Sequence, residues 1–197
     1  MSVRSQEAKK PTYEEMVENA KRGDPNIDFA ALRYAFLDSS SEHKEGFFNS
    51  RLLNGLNQQK DYQKLLDTAN GFIAQDFVEI RSHFAAATAY RALGHEEEAQ
   101  KELVLAKGLM QSILDSGDGK SQKTAYVVIN TAEEYAVLEF LGIRAAGQQS
   151  LILGHTNQTS GGPAYDLLKA TKNGQEMDIY FDISKFYGKE LQKHPAH

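Results

Sequence analysis

The chain contains no cysteine. That removes disulfides, thiolate metal sites and cysteine nucleophiles together, but leaves the compartment open, since many periplasmic proteins also lack disulfides. No apolar run approaches roughly 18 residues, the length that spans a membrane. Basic residues are too few for an electrostatic footprint. The 22 Lys+Arg against 27 Asp+Glu give a net charge of −5, which disfavours a broad nucleic-acid surface and docking on an anionic membrane. Catalytic signatures are missing as well. No GxSxG surrounds a serine. None of His43, His83, His95, His155, His194 and His197 forms an HxxxH or HExxH pair. Gly119-Lys120-Ser121 lacks the upstream glycine of a phosphate loop, whose place is taken by Leu114, and it follows a helix rather than a strand. Asp115, Asp118 and Gly119 lack the alternating acids and distal Glu of a calcium loop. These absences predict no cofactor, no metal, no nucleic acid and no membrane insertion.

The N-terminus, MSVRSQEAKKPTYEEM, has no apolar signal-peptide core. A chain made without a leader and one whose leader was removed both fit, so the compartment stays open: cytoplasm, periplasm or secreted.

What is present is a change of period. With 197 residues, 41% of them hydrophobic and 25% charged, the chain has the composition of an ordinary globular protein long enough to bury a core. Residues 1 to 10 are polar and read as a disordered N-terminus. Thr12 with Glu15 forms a capping box that starts a helix with Tyr13, Met16, Val17 and Ala20 on one face. Asp28 caps a second helix, with Phe29, Leu32, Phe36 and Leu37 on its apolar face. Four more helices are expected, over 46 to 58, 61 to 75, 78 to 92 and 95 to 115. Near Gly117 the period falls from 3.6 to 2. A strand over 125 to 129, a helix over 131 to 141 and strands over 149 to 153, 164 to 171 and 177 to 183 follow. Asn173-Gly174 is a hairpin signal, because both turn positions favour positive φ. The expected fold is α+β: helical hairpins over 11 to 116, a small mostly antiparallel sheet with one covering helix over 117 to 187, and a tail over 188 to 197.

Residues 83 to 106 resemble a tetratricopeptide repeat. Ala86 and Ala87 take the small positions, Tyr90 the aromatic, Gly94 the turn, and Ala99 and Ala106 the second-helix contacts, while His83 stands where Trp is usual. A shift back by 34 positions places Leu52, Leu53, Leu56, Leu65 and Phe72 on equivalent sites, without an identical residue in phase. In such pairs the first helix lines a concave face. That phasing assigns it Phe47, Asn54 and Asn57 from one pair and Arg81, Phe84, Thr88 and Arg91 from the next, groups suited to gripping a peptide or a partner helix. The competing expectation is that these side chains pack against neighbouring elements of a short array.

The chain also resembles a bacterial family known as domain of unknown function 4919. The resemblance is carried by Asn26 to Arg33, by His83 to Ala86 with Ala89 to Gly94, and by Ser112 to Leu114 with Ser116 to Lys120. It continues through Thr124 to Ile129 and Glu133 to Tyr135, then more weakly through Tyr165-Asp166 and Tyr180-Phe181. It implies a helical half followed by an α+β half, in proteins often made with a signal peptide, and supplies no activity or catalytic residues. The tail from Phe186 onward departs from the usual ending.

The functional expectation is a non-enzymatic scaffold or binding module with a protein or peptide partner, Arg81 and Arg91 facing acidic groups and Phe84 as the anchor between them. The alternative is a small hydrolase or transferase whose site forms only in three dimensions. Its candidates are Asp118, Lys120, His155 and Asp166, near turns at the sheet edge. Glu133 and Glu134, adjacent at a helix start, are expected to favour the helix dipole.

Overall fold

The computed structural model describes residues 10–39, 47–154 and 162–193, which form eight α-helices and four strands. Helix α1 (Tyr13–Lys21) opens on the expected capping box. The Glu15 backbone N–H donates to Thr12 Oγ1 at 3.2 Å, and the Thr12 N–H donates to Glu15 Oε2 at 2.8 Å. Its apolar stripe, Met16, Val17 and Ala20, is buried. Asp28 caps α2 (Phe29–Ser39) by accepting from the Ala31 N–H at 2.9 Å. Two helical hairpins follow. The first is α3 (Phe47–Gln58) with α4 (Tyr62–Gln75), and the second is α5 (Ile80–Ala92) with α6 (Glu96–Leu114). Ala86 and Ala89 of α5, and Ala99 and Ala106 of α6, are wholly buried. Small side chains there let the helices approach closely. Gly94 turns between α5 and α6 at φ +86°, a backbone region costly for other residues.

Beyond α6 the chain enters a sheet of order β1-β4-β3-β2. Strands β2 (Arg144–Leu153), β3 (Ala164–Lys172) and β4 (Gln175–Asp182) form an antiparallel meander. Asn173 and Gly174 join the last two at φ +52° and +79°, as the two-residue turn requires. The strand expected over 125 to 129 pairs through only Tyr126 and Val127, as β1, in parallel with Phe181 and Asp182 of β4. The Val128 N–H still donates to the Asp182 carbonyl at 3.2 Å, but the strand ends there, and Val128 and Ile129 are buried in the core. Strand β2 begins five residues earlier than the expected 149. Its first part is Arg144-Ala145-Ala146-Gly147, poor in β-formers, and the register shifts between Ala145 and Gln149, where Gly147 sits at φ +84°. Helix α7 (Thr131–Phe140) packs near β2, and α8 (Ser184–Lys193) near β3. The α8 helix runs through six of the residues expected as a tail.

One apolar core joins α1, α2, α6, α7 and the sheet, and a smaller one lies within α3, α4 and α5. The larger is pinned by a buried ion pair between residues 100 positions apart. Arg33 of α2 donates through Nε to Glu133 Oε1 at 2.8 Å and through Nη2 to Glu133 Oε2 at 2.5 Å. It donates further to Ser112 Oγ on α6 and to the Val127 carbonyl on β1. Glu133 Oε2 also accepts from the Ile129 N–H at 2.9 Å. Every donor around the carboxylate is satisfied, the condition under which a buried pair is tolerated. This corrects the helix-dipole expectation for Glu133: its carboxylate ties α2, α6, β1 and α7 together.

Candidate functional site

Helices α3 and α5 lie side by side with α7 along one flank, and the three enclose a cavity of about 270 Å³. Side chains three apart on a helix share a face. That spacing puts Asn54 and Asn57 of α3 on the cavity wall, and Arg81, Phe84 and Thr88 of α5 on the wall beside them. The buried Leu53, Leu65, Ile80 and Met110 supply its apolar lining. Five residues expected on a concave face thus meet at one cavity. Phe47 opens α3, but its side chain lies outside the described residues, as does the whole of His155.

Ala136, Glu139 and Phe140 of α7 complete the wall. Sequence reasoning missed them because repeat phasing speaks only of the helical hairpins. The available signal was Phe140, a large apolar residue half exposed at a helix end. Its ring lies nearly parallel to that of Phe84, with centroids 6.4 Å apart and 29° between planes, an arrangement aromatic pairs favour.

The charges of the wall are already matched. Arg81 Nε donates to Glu139 Oε2 at 3.0 Å. Arg91 lies away from the cavity, on the exposed surface, where it meets Glu96 at 3.4 Å. The acidic groups expected in a partner are therefore supplied by the chain itself. Arg81 Nη1 is buried with no acceptor among the described residues, whereas Asn54 and Asn57 are exposed and their side-chain amides make no hydrogen bond to another described residue. Thr88 Oγ1 is spoken for, donating back to the Phe84 carbonyl at 2.9 Å.

Of the alternative polar cluster, Asp118 and Lys120 lie on an exposed turn, where they pair with each other at 3.2 Å, and Asp166 lies on the buried face of the sheet. The Thr124 hydroxyl, the Lys120 N–H and its ammonium hold the Asp118 carboxyl down at about 2. Asp166 sits on the buried face of β3 and accepts from Gln149 Nε2 at 2.6 Å. Next to it, Glu134 has no exposed surface, and neither carboxyl oxygen has a hydrogen-bond partner among the described residues. Burial first, then the Asp166 charge, push its pKa up to about 9, so Glu134 is a neutral acid at pH 7. It too departs from the helix-dipole expectation. His83 is wholly buried, its Nδ1 2.6 Å from Glu102 Oε2 on α6 and its Nε2 2.7 Å from the Phe77 carbonyl oxygen. Both facing atoms are acceptors, so the ring bridges α5 to α6 and to the segment that precedes α5. Among the described residues, no group of three His, Asp or Glu is placed to hold a metal ion, and no helix is long and apolar enough to cross a membrane.

The chain belongs to the family described as Domain of unknown function (DUF4919), whose model matches residues 32–192. No curated protein and no solved structure matches it.

Proposed function

We propose that this chain is a non-enzymatic protein- or peptide-binding module, with its site at the cavity between α3, α5 and α7. The observation that carries this reading is the convergence of Asn54, Asn57, Arg81, Phe84 and Thr88 with α7 on one concave surface. Such a surface joins an aromatic pair to exposed amide donors and acceptors, and its carboxylate, Glu139, is paired with Arg81. At about 270 Å³ the cavity is below the usual range for a drug-sized ligand, but it accommodates one side chain and the peptide units flanking it. The spacing of α3 to α6, the buried alanines and the Gly94 turn support a tetratricopeptide-like reading of the two hairpins.

The test is a pull-down from cell extract comparing wild type with Phe84→Ala and with Arg91→Ala, the second a control off the cavity. Losing a buried aromatic anchor costs about 2 kcal/mol, roughly thirtyfold in affinity. Phe84→Ala should lose the partners that Arg91→Ala keeps. Equal recovery by two folded variants would place the site elsewhere.

A further inference from the structure

Building on that reading, we propose that the cavity takes an uncharged, extended peptide segment. Its backbone is held by Asn54 and Asn57, and one apolar side chain is seated against Phe84 and Phe140.

Charge restricts the occupant first. The wall contains one cation, Arg81, and one anion, Glu139, and they pair at 3.0 Å. An acidic ligand would find its cation already occupied and a carboxylate beside it, and a basic ligand would face the guanidinium. Either meets a like charge with little net attraction to offset the loss of its own hydration. A neutral ligand meets neither difficulty.

Hydrogen bonding then selects a peptide. A side-chain amide offers both an N–H donor and a carbonyl acceptor. Asn54 and Asn57 stand one turn apart on α3, exposed and able to exchange water for a ligand, with no hydrogen bond to another described residue. A peptide unit presents the complementary N–H and C=O. Arg81 Nη1 is buried without an acceptor among the described residues, and a backbone carbonyl seated deep enough to reach it would supply one without adding negative charge next to Glu139. The apolar part of the segment falls to the Phe84–Phe140 pair, whose half-exposed ring otherwise remains in water.

The occupant would also bridge the two parts of the fold. α3 lies on the smaller core and α7 on the larger, so a ligand touching both should slow opening of each.

The experiment uses the full chain and a capped pentapeptide with a central phenylalanine between alanines. Companion peptides carry aspartate or lysine at the flanking positions, or an ester in place of one central amide. Affinity is read by fluorescence polarisation at low and high salt, and location by hydrogen exchange. The expected result is protection of α3, α5 and α7 by the phenylalanine peptide, with affinity insensitive to salt. Both charged versions and the ester should bind more weakly. Asn54→Ala/Asn57→Ala should weaken the neutral peptide about tenfold, as loss of two hydrogen bonds predicts. Tightest binding by the aspartate peptide, lost in high salt yet still protecting these helices, would overturn the neutral-segment inference and leave the cavity as the site. Unchanged affinity in the double variant would overturn the role given to the asparagines. No protection of the cavity by any peptide would overturn both the inference and the reading beneath it.

Discussion

Glu134 gives the sharpest perturbation, because its environment fixes the sign of the effect. In the fold its carboxyl is raised from an ordinary 4.5 to about 9 by burial and by Asp166, whereas in the unfolded chain it returns to the ordinary value. Between those two values the folded protein holds a proton that the unfolded one has released. Stability therefore falls as pH rises through this window, by about 1.4 kcal/mol per pH unit. Asp76 behaves similarly but over a lower range, from an ordinary 3.8 to about 7, mainly because it is desolvated. Its contribution is complete about one unit above that, and the slope that remains from about pH 8 to 9 belongs to Glu134. Glu134→Gln keeps the shape, stays neutral at every pH, and offers an N–H to Asp166. The variant should gain up to about 3 kcal/mol at pH 7, the product of 2.5 pH units and that slope. Urea unfolding of both proteins at half-unit steps from pH 7 to 9 is the assay. Wild-type stability should decline across the range, and the variant's should level off above about pH 8. Parallel curves, or a variant less stable than wild type throughout, would mean that Glu134 is ionised or otherwise paired in the fold.

Other substitutions probe the framework around the site. Arg33→Met strands Glu133 among buried groups, and chemical unfolding should register a loss of about 3–5 kcal/mol. Adding Glu133→Leu should recover much of it, whereas an additive further loss would refute the pairing as described. Gly108→Ala drives a methyl group of α6 into the Phe29 ring of α2. The expected cost is about 1–3 kcal/mol, read as a lowered Tm, and an unchanged Tm would mean that Phe29 packs elsewhere. Gly174→Ala has open space but sits at φ +79°, so a loss of about 1–2 kcal/mol should come from backbone strain alone.

Local chemistry was legible in the sequence, and long-range chemistry was not. The Thr12–Glu15 box, the Asp28 cap and the Asn173–Gly174 turn are each decided by residues a few positions apart, and each appears as read. Of the seven residues assigned to a concave face, Asn54 with Asn57 and Arg81 with Phe84 and Thr88 follow helical spacing onto one surface, while Arg91 lies off it and the Phe47 side chain is outside the described residues. What that spacing could not supply was α7, brought to the cavity by packing across the larger core. With α7 came Glu139, which takes up the charge that Arg81 seemed free to offer a partner. Arg33 and Glu133 illustrate the same limit. Each looked like an ordinary helix residue, and only the fold brings them within 2.8 Å. The sequence reads as a longer strand than β1 because four β-formers in a row, Tyr126 to Ile129, suit a buried strand and buried irregular chain equally well. The start of β2 was underread because Ala145-Ala146-Gly147 carries no strand signal, and pairing with Thr171 and Ala170 of β3 imposes it.

The most direct test of the cavity as a ligand site is a nuclear magnetic resonance titration of isotopically labelled full chain with the capped phenylalanine pentapeptide. The amides to follow are those of Asn54, Asn57, Arg81, Phe84, Glu139 and Phe140, which come from three helices but line one cavity. A peptide seated there should move all six along one saturation curve, and the shifts should vanish in Phe84→Ala while persisting in Arg91→Ala. Shifts confined to the edge strand β2 or to the Asp118 turn, or no shifts at all, would contradict it.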